Sequence, residues 1–279
     1  MTMDFSLVGF IWILFLLTTL IPVIRQRRLA MERIGVISAI QKNRGSRIIT
    51  MIHRQESLAF LGIPLRRFID IEDSEEVLRA IRLTPDDMPI DLVIHTPGGL
   101  VLASEQIAFA LRRHPGRITV FVPHYAMSGG TMVALAADEI VMDENAVLGP
   151  LDPQVGQWPA ASILRVVDEK NPDRIDDETL ILADISRKAL RQLRESVAEL
   201  LAHRMDPERA RGTAEKLTSG QWTHDFPINC QLLRSMGIEV SCNPPADVYR
   251  LMDLYPQLPQ RRPSIQYVPL PDSKSRDDS

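Results

Sequence analysis

Two glycine-containing turns hold the residues best suited to chemistry in this 279-residue chain. The first closes Asp91-Leu-Val-Ile-His-Thr-Pro-Gly-Gly99, and the second closes Ile118-Thr-Val-Phe-Val-Pro-His-Tyr-Ala-Met-Ser-Gly-Gly-Thr131. Each reads as a buried parallel strand that ends in a turn and opens a helix, the place where an open α/β sheet offers backbone N–H groups to a ligand. Ser128 stands directly before Gly129 and Gly130. A serine on such a turn, facing a second turn of free N–H donors, has the layout of an acyl-transfer site: the hydroxyl attacks, and the amides hold the oxyanion that forms.

A serine hydroxyl needs a base to take its proton. His95 and His124 lie on the site-forming turns and reach Ser128 or a bound substrate, though a strand-end histidine also serves as a hydrogen-bonded structural residue. Lysine is the other candidate, provided burial lowers its pKa. Of the five lysines, Lys42 is close to the N-terminal segment and Lys274 is in the tail, leaving Lys170, Lys188 and Lys216. Lys188 falls within an amphipathic helical stretch, and Lys170 within an irregular Glu-Lys-Asn-Pro loop from which a side chain can reach back into a cleft. Arginine stays protonated and cannot serve.

The elements that must position these residues follow from periodicity. Ile48–His53, Ile90–Thr96, Ile118–Val122 and Glu139–Met142 read as strands. Helices are expected at Asp73–Arg82, with Asp73 or Ser74 as N-cap, at Leu100–Arg113, and in the small-residue run Gly130–Ala137. This alternation predicts right-handed βαβ crossovers and a largely parallel sheet. A long helix is expected from about Asp177 to Met205, followed by helices at about Pro207–Leu217 and Phe226–Met236. From Pro256 the tail is rich in Pro, Ser and charge, and is read as extended or disordered.

Composition narrows the function classes. A hydrophobic share of 45% and a charged share of 24% place the body among globular domains. A net charge of −4 gives no case for nucleic acid. Cys230 and Cys242 are too few for a disulfide scaffold, lack metal-ligand spacing and read as plain thiols. The N-terminus departs from the globular pattern. Phe5–Ile24 is uncharged and mostly apolar, long enough to cross a hydrocarbon core of about 30 Å. Arg25, Arg27 and Arg28 follow it, whereas a cleaved signal peptide carries its charge in front. A single transmembrane helix is expected, with the N-terminus outside and the catalytic domain cytoplasmic. The division is therefore 1–28 anchor and basic flank, 29–47 juxtamembrane linker, itself read as helix or linker of mixed polarity, 48–255 catalytic domain and 256–279 tail.

Between Ile48 and Val240 the chain resembles the Clp protease/crotonase superfamily, and above all the membrane-bound serine proteases related to signal peptide peptidase A, the serine dehydrogenase proteinase group. The likeness rests on Thr96-Pro-Gly-Gly99, Tyr125-Ala-Met-Ser-Gly-Gly-Thr131, Asn145-Ala-Val-Leu-Gly149, Leu217-Thr-Ser-Gly-Gln-Trp222 and Leu233-Arg-Ser-Met-Gly-Ile-Glu-Val240. It implies a stacked βα (ββα) superhelix, Ser128 as nucleophile, and an oxyanion hole from the amides of Gly98, Gly99 and Gly129, with His95, His124 and Tyr125 lining the substrate. Clp-type enzymes carry a histidine after the serine, but none occurs here between His124 and His203. The resemblance to signal peptide peptidase A instead implies a Ser–Lys dyad with Lys170, or failing that Lys188.

The leading expectation is thus a membrane-anchored serine endopeptidase without cofactor or metal. Its expected partners are a peptide or membrane-protein substrate, the lipid bilayer and further copies of itself. Two alternatives share the fold: an inactive membrane scaffold that binds peptides, and a crotonase-type acyl-CoA enzyme, against which the turn serine and the apolar N-terminus both argue.

Overall fold

The computed structural model describes residues 7–54, 59–60, 63–64 and 68–255. The tail expected to be disordered and the first residues of the expected membrane span lie outside them. Helix α1 (Leu7–Arg44) is 38 residues long and unbroken. It stops at Gly45, whose φ of +63° suits the left-handed position past a helix end. Strands β1 (Arg47–Ile52), β2 (Ile90–His95), β3 (Ile118–Val122) and β4 (Glu139–Met142) form one parallel sheet in the order β1-β2-β3-β4. The register pairs Ile52 with His95, Val93 with Phe121 and Val122 with Met142. Helices α2 (Ile71–Arg82), α3 (Val101–Arg113) and α4 (Gly129–Leu135) make the crossovers. Beyond β4 come α5 (Ala160–Glu169), α6 (Asp177–Leu201), α7 (Pro207–Thr218), α8 (Cys230–Ser235) and α9 (Ala246–Asp253).

Side chains alternate across the sheet, and each face has its own core. Ile49, Met51, Leu92, Ile94, Val120 and Met142 face the larger core, beneath the crossover helices and α6–α7. Ile48, Val93, Phe121 and Val141 face a smaller one, covered by Val36 and Ile40 of α1 and by Val248, Leu251 and Met252 of α9. Residues 29–47, expected to be a juxtamembrane helix or linker, therefore belong largely to a helix that joins the core from Val36 onward. Its end is fixed to β2 by Asp91, which is 1% exposed and accepts from both the Arg44 guanidinium and the Ser46 hydroxyl (2.6 Å). The Asp91 hydrogen bond pushes the Arg44 pKa up. From the far side, Arg33 donates to Leu254 O (2.7 Å) and lies over the Tyr255 ring.

Several expectations are revised. Helices α5 and α9 were not foreseen. Gly237–Val240 forms no strand; the next residue, Ser241, makes a single parallel bridge to Val141. The N-cap of α2 is Asp70, in a reciprocal capping box with Asp73. Cys230 and Cys242 are joined as a disulfide rather than standing as separate thiols. Among the described residues no helix is long and apolar enough to cross a membrane. The described part of the expected span nevertheless leaves Leu14, Phe15, Leu16, Leu20, Ile21, Val23 and Ile24 between 46% and 63% exposed.

The Asp91 contact yields a test. Arg44→Ala strands a buried carboxylate and should cost about 3 kcal/mol, read from the urea midpoint. Arg28→Ala removes only an exposed pair with Glu32 and should shift that midpoint by less than about 0.5 kcal/mol.

Candidate active site

The first turn continues β2 past His95. Thr96 N–H donates to Tyr125 O (3.2 Å) and Thr96 O accepts from Met127 N–H (3.0 Å), so the two turns are bonded side by side beyond the end of the sheet. Gly98 has φ +104°, and a Cβ there would stand 2.9 Å from both Met127 O and the Ser128 Cβ. Only glycine allows that backbone and that approach. Gly98 N–H donates to the Thr96 hydroxyl (3.2 Å), so this amide, expected in the oxyanion hole, is already engaged. Gly98 O accepts from Ile69 N–H (2.7 Å), and Ile69 O accepts from Leu100 N–H (2.8 Å). Between these bonds the N–H of Gly99 has no acceptor among the described residues.

The second turn carries Ser128 at φ 48°, ψ −115°, where it is the only non-glycine residue of positive φ among the described residues. A side chain held in that region stores about 1–3 kcal/mol of strain. Ser128 is the N-cap of α4 but its hydroxyl makes no capping bond, and it has no hydrogen-bond partner among the described residues. It is half-buried. The next amide, Gly129 N–H, likewise has no acceptor among them. A Cβ on Gly129 would meet Ser104 Oγ at 2.1 Å and Gly99 N at 3.6 Å, so the two acceptor-free amides belong to adjacent backbones. Beneath them the buried Thr131 hydroxyl lies 2.9 Å from Ala126 O and 2.7 Å from Gly149 O, and accepts from Gly149 N–H (2.9 Å). Thr131 thus fixes the serine turn to the following loop. An oxygen between Gly99 and Gly129 would meet two donors next to a strained serine, the arrangement that acyl transfer requires.

The substrate-lining residues separate. His95 is 2% exposed, its ring against Tyr125 (centroids 4.2 Å) and edge-on to His124 (5.5 Å), so it offers no surface to a substrate. Neither of its ring nitrogens has a partner among the described residues. Burial, then the charge of Arg54 and the neighbouring histidines, pushes its pKa down to about 3. His124 is exposed and Tyr125 half-buried, and both remain at the surface near the turn. Burial and Arg54 lower the His124 pKa as well.

Neither lysine candidate touches the serine. Lys170 is the exposed C-cap of α5; its backbone N–H donates to Val166 O (3.2 Å), and its ammonium makes no hydrogen bond or ion pair among the described residues. Lys188 is exposed on α6 and paired with Asp184 at 2.5 Å. Among the described residues no group of three or more His, Cys, Asp or Glu could hold a metal ion.

The site also uses residues that sequence reasoning passed over. His53 is 5% exposed at the end of β1. Its Nδ1 lies 2.9 Å from the Thr96 hydroxyl and its Nε2 3.2 Å from the Asp73 carboxylate. The nearest sequence signal was the acidic start of α2, but partners 43 residues apart leave no local trace.

Comparison with known proteins gives the family of the chain. A family described as ClpP-like SDH-type serine proteinases matches residues 1–279. Two uncharacterized proteins of Methanocaldococcus jannaschii are close relatives. MJ1495 is 56% identical, covering 98% of this chain and 92% of its own length. MJ0137 is 52% identical, covering 93% and 91%. Among solved structures, ClpP1 from Listeria monocytogenes is similar with a TM-score of 0.45 at 16% identity, over 72% of this chain and 92% of that one. That likeness is too distant to carry an argument about chemistry.

Because His95 is neutral in the fold but takes up a proton near its ordinary pKa of 6.5 when unfolded, the unfolded chain binds more protons between about pH 6.5 and pH 3. Stability from this group is therefore full above that window and falls as pH drops through it. Between pH 7 and pH 5 the loss should be about 2 kcal/mol. His95→Phe should remove that part of the decline when urea midpoints are compared at the two pH values; an equal decline in both proteins would refute the assignment.

Proposed function

The chain belongs to the ClpP-like SDH-type serine proteinase family, and on that premise we propose that it is a membrane-anchored serine endopeptidase with Ser128 as nucleophile. The observation that supports this most is the strained Ser128 beside the acceptor-free amides of Gly99 and Gly129. In this reading Ser128 Oγ attacks a peptide carbonyl while a neutral amine takes the hydroxyl proton. The carbonyl oxygen gains the charge and receives N–H bonds from Gly99 and Gly129. Collapse breaks the C–N bond, the amine returns its proton to the leaving nitrogen, and water later releases the acyl group from Ser128 by the same path.

We assign the amine to Lys170 ahead of Lys188. Lys170 has no ion pair to break, whereas Lys188 is held by Asp184. Either lysine must lose its water to act as base, so the assignment requires the α5–α6 connection to close over bound peptide or against a second copy of the chain. A homo-oligomer suits this requirement and the family. The exposure of these lysines also favours the second reading, an inactive peptide-binding scaffold. Membrane anchoring is supported by the apolar run Phe5–Ile24, by the exposed apolar side chains of α1 and by the arginines after them. In this reading the arginines after the apolar run keep the catalytic domain in the cytoplasm, with the N-terminus outside.

Fluorophosphonate labelling and peptide cleavage by the detergent-solubilised full chain test the reading. Ser128→Ala should abolish both. Lys170→Ala should slow cleavage by about 100-fold or more, while Lys188→Ala stays within about threefold of the parent. Full cleavage by the Ser128 variant would exclude the mechanism, and loss only in the Lys188 variant would move the base. A reporter fused after Ser279 should be active on the cytoplasmic side; an outward-facing reporter would reverse the topology.

A further inference from the structure

We infer that His53 and Asp73 are positioning residues which, through the Thr96 hydroxyl, aim the Gly99 amide at the reacting carbonyl; this rests on the reading of Gly99 as an oxyanion donor. Proton accounting gives the network a direction. The Asp73 carboxylate only accepts, from Asp70 N–H (3.0 Å) and from His53 Nε2–H (3.2 Å). With a proton on Nε2 facing Asp73, His53 turns Nδ1 to Thr96, and the Thr96 hydroxyl stands between two acceptors, His53 Nδ1 at 2.9 Å and Gly98 O at 3.3 Å. The hydroxyl's lone pair is then turned toward Gly98 N–H, which donates to it at 3.2 Å. The order runs Gly98 N–H to the Thr96 hydroxyl, Thr96 O–H to His53 or Gly98 O, and His53 N–H to Asp73.

The peptide plane that matters is Gly98–Gly99, whose carbonyl lies within reach of both Ile69 N–H and the Thr96 hydroxyl. The N–H of Gly98 is held by Thr96, and its carbonyl by Ile69 N–H at 2.7 Å. In a trans peptide the carbonyl and the following N–H point in opposite directions. Gly99 N–H is therefore aimed away from Ile69, and its nitrogen lies toward Gly129. Ile69 directly precedes Asp70, the N-cap of α2, whose side chain accepts from Asp73 N–H (3.0 Å) while Asp73 reaches back to it. One capping box thus seats both anchors of the turn, Ile69 on one side and His53 on the other. Thr96 is fully buried, so it positions the amide without meeting substrate. Without its hydroxyl, Gly98 loses the acceptor of its N–H and a donor to its carbonyl, and the plane can rotate about a glycine that resists little.

The test is fluorophosphonate inactivation of the full chain in detergent, resolved into a maximal rate and a half-saturation concentration, with thermal midpoints as folding controls. Thr96→Val keeps shape and removes the hydroxyl; it should lower the maximal rate about 10- to 100-fold with half-saturation within about threefold. Thr96→Ser should restore the rate to within about threefold, which a packing role would not produce. His53→Leu should resemble Thr96→Val; should it fail to fold, the Thr96 pair decides alone. A parent rate in Thr96→Val, an equal loss in Thr96→Ser, or a folded His53→Leu at the parent rate would overturn the inference while leaving the peptidase reading intact. No labelling of the parent at Ser128 would overturn both.

Discussion

The candidate site depends on a backbone pairing that continues where the sheet proper ends. Thr96 exchanges both of its main-chain bonds with the Tyr125–Met127 segment, which brings the Gly98–Gly99 turn against the Ser128–Gly129 turn. Two consequences follow from that spacing. Residue 98 can carry no side chain, and the serine occupies a backbone region that costs energy. All seven residues of α4 are buried, and Thr131 bonds the turn to the 149 loop, so packing holds the strain in place. What remains without a partner at the two turns, among the described residues, is small and specific: one hydroxyl and two amides.

The opposite face of the sheet does a separate task. There α1 and α9 share a core with Val93, Phe121 and Val141, and the Asp91–Arg44 contact ties the end of α1 to the strand that leads into the first turn. An unbroken helix of 38 residues is roughly 57 Å long at 1.5 Å per residue. If its apolar half lies in a bilayer, as proposed above, the site stands at a set distance from the membrane rather than on a flexible tether. The same helix would then serve as anchor, spacer and core element.

The strands and both turns were legible because each depends on local pattern: a β-branched run, then glycine. The serine proposed as nucleophile stood out for the same reason, since it precedes two glycines at a strand end. The role of Gly98 was not. Whether its N–H is free depends on the rotamer of Thr96, and that depends on His53 and Asp73 from two other elements. His95 misled in a similar way, because its place on the turn says nothing of which face of β2 it occupies or of Tyr125 above it. The extent of α1 was obscured by its mixed polarity after Ile24, where a helix half in a core and half in solvent resembles a linker. A base is harder still to read, because a lysine becomes one through its surroundings, and those surroundings are tertiary or belong to another copy.

The central claim is that charge developing on an attacked carbonyl is held between Gly99 and Gly129 beside Ser128. A crystal structure of the full chain inactivated by a peptidyl phosphonate tests it most directly. The account predicts a covalent bond to Ser128 Oγ, with one phosphonate oxygen about 2.7–3.1 Å from each of the two amide nitrogens. An adduct on Ser128 whose oxygens point to solvent, with either amide turned away, would contradict it.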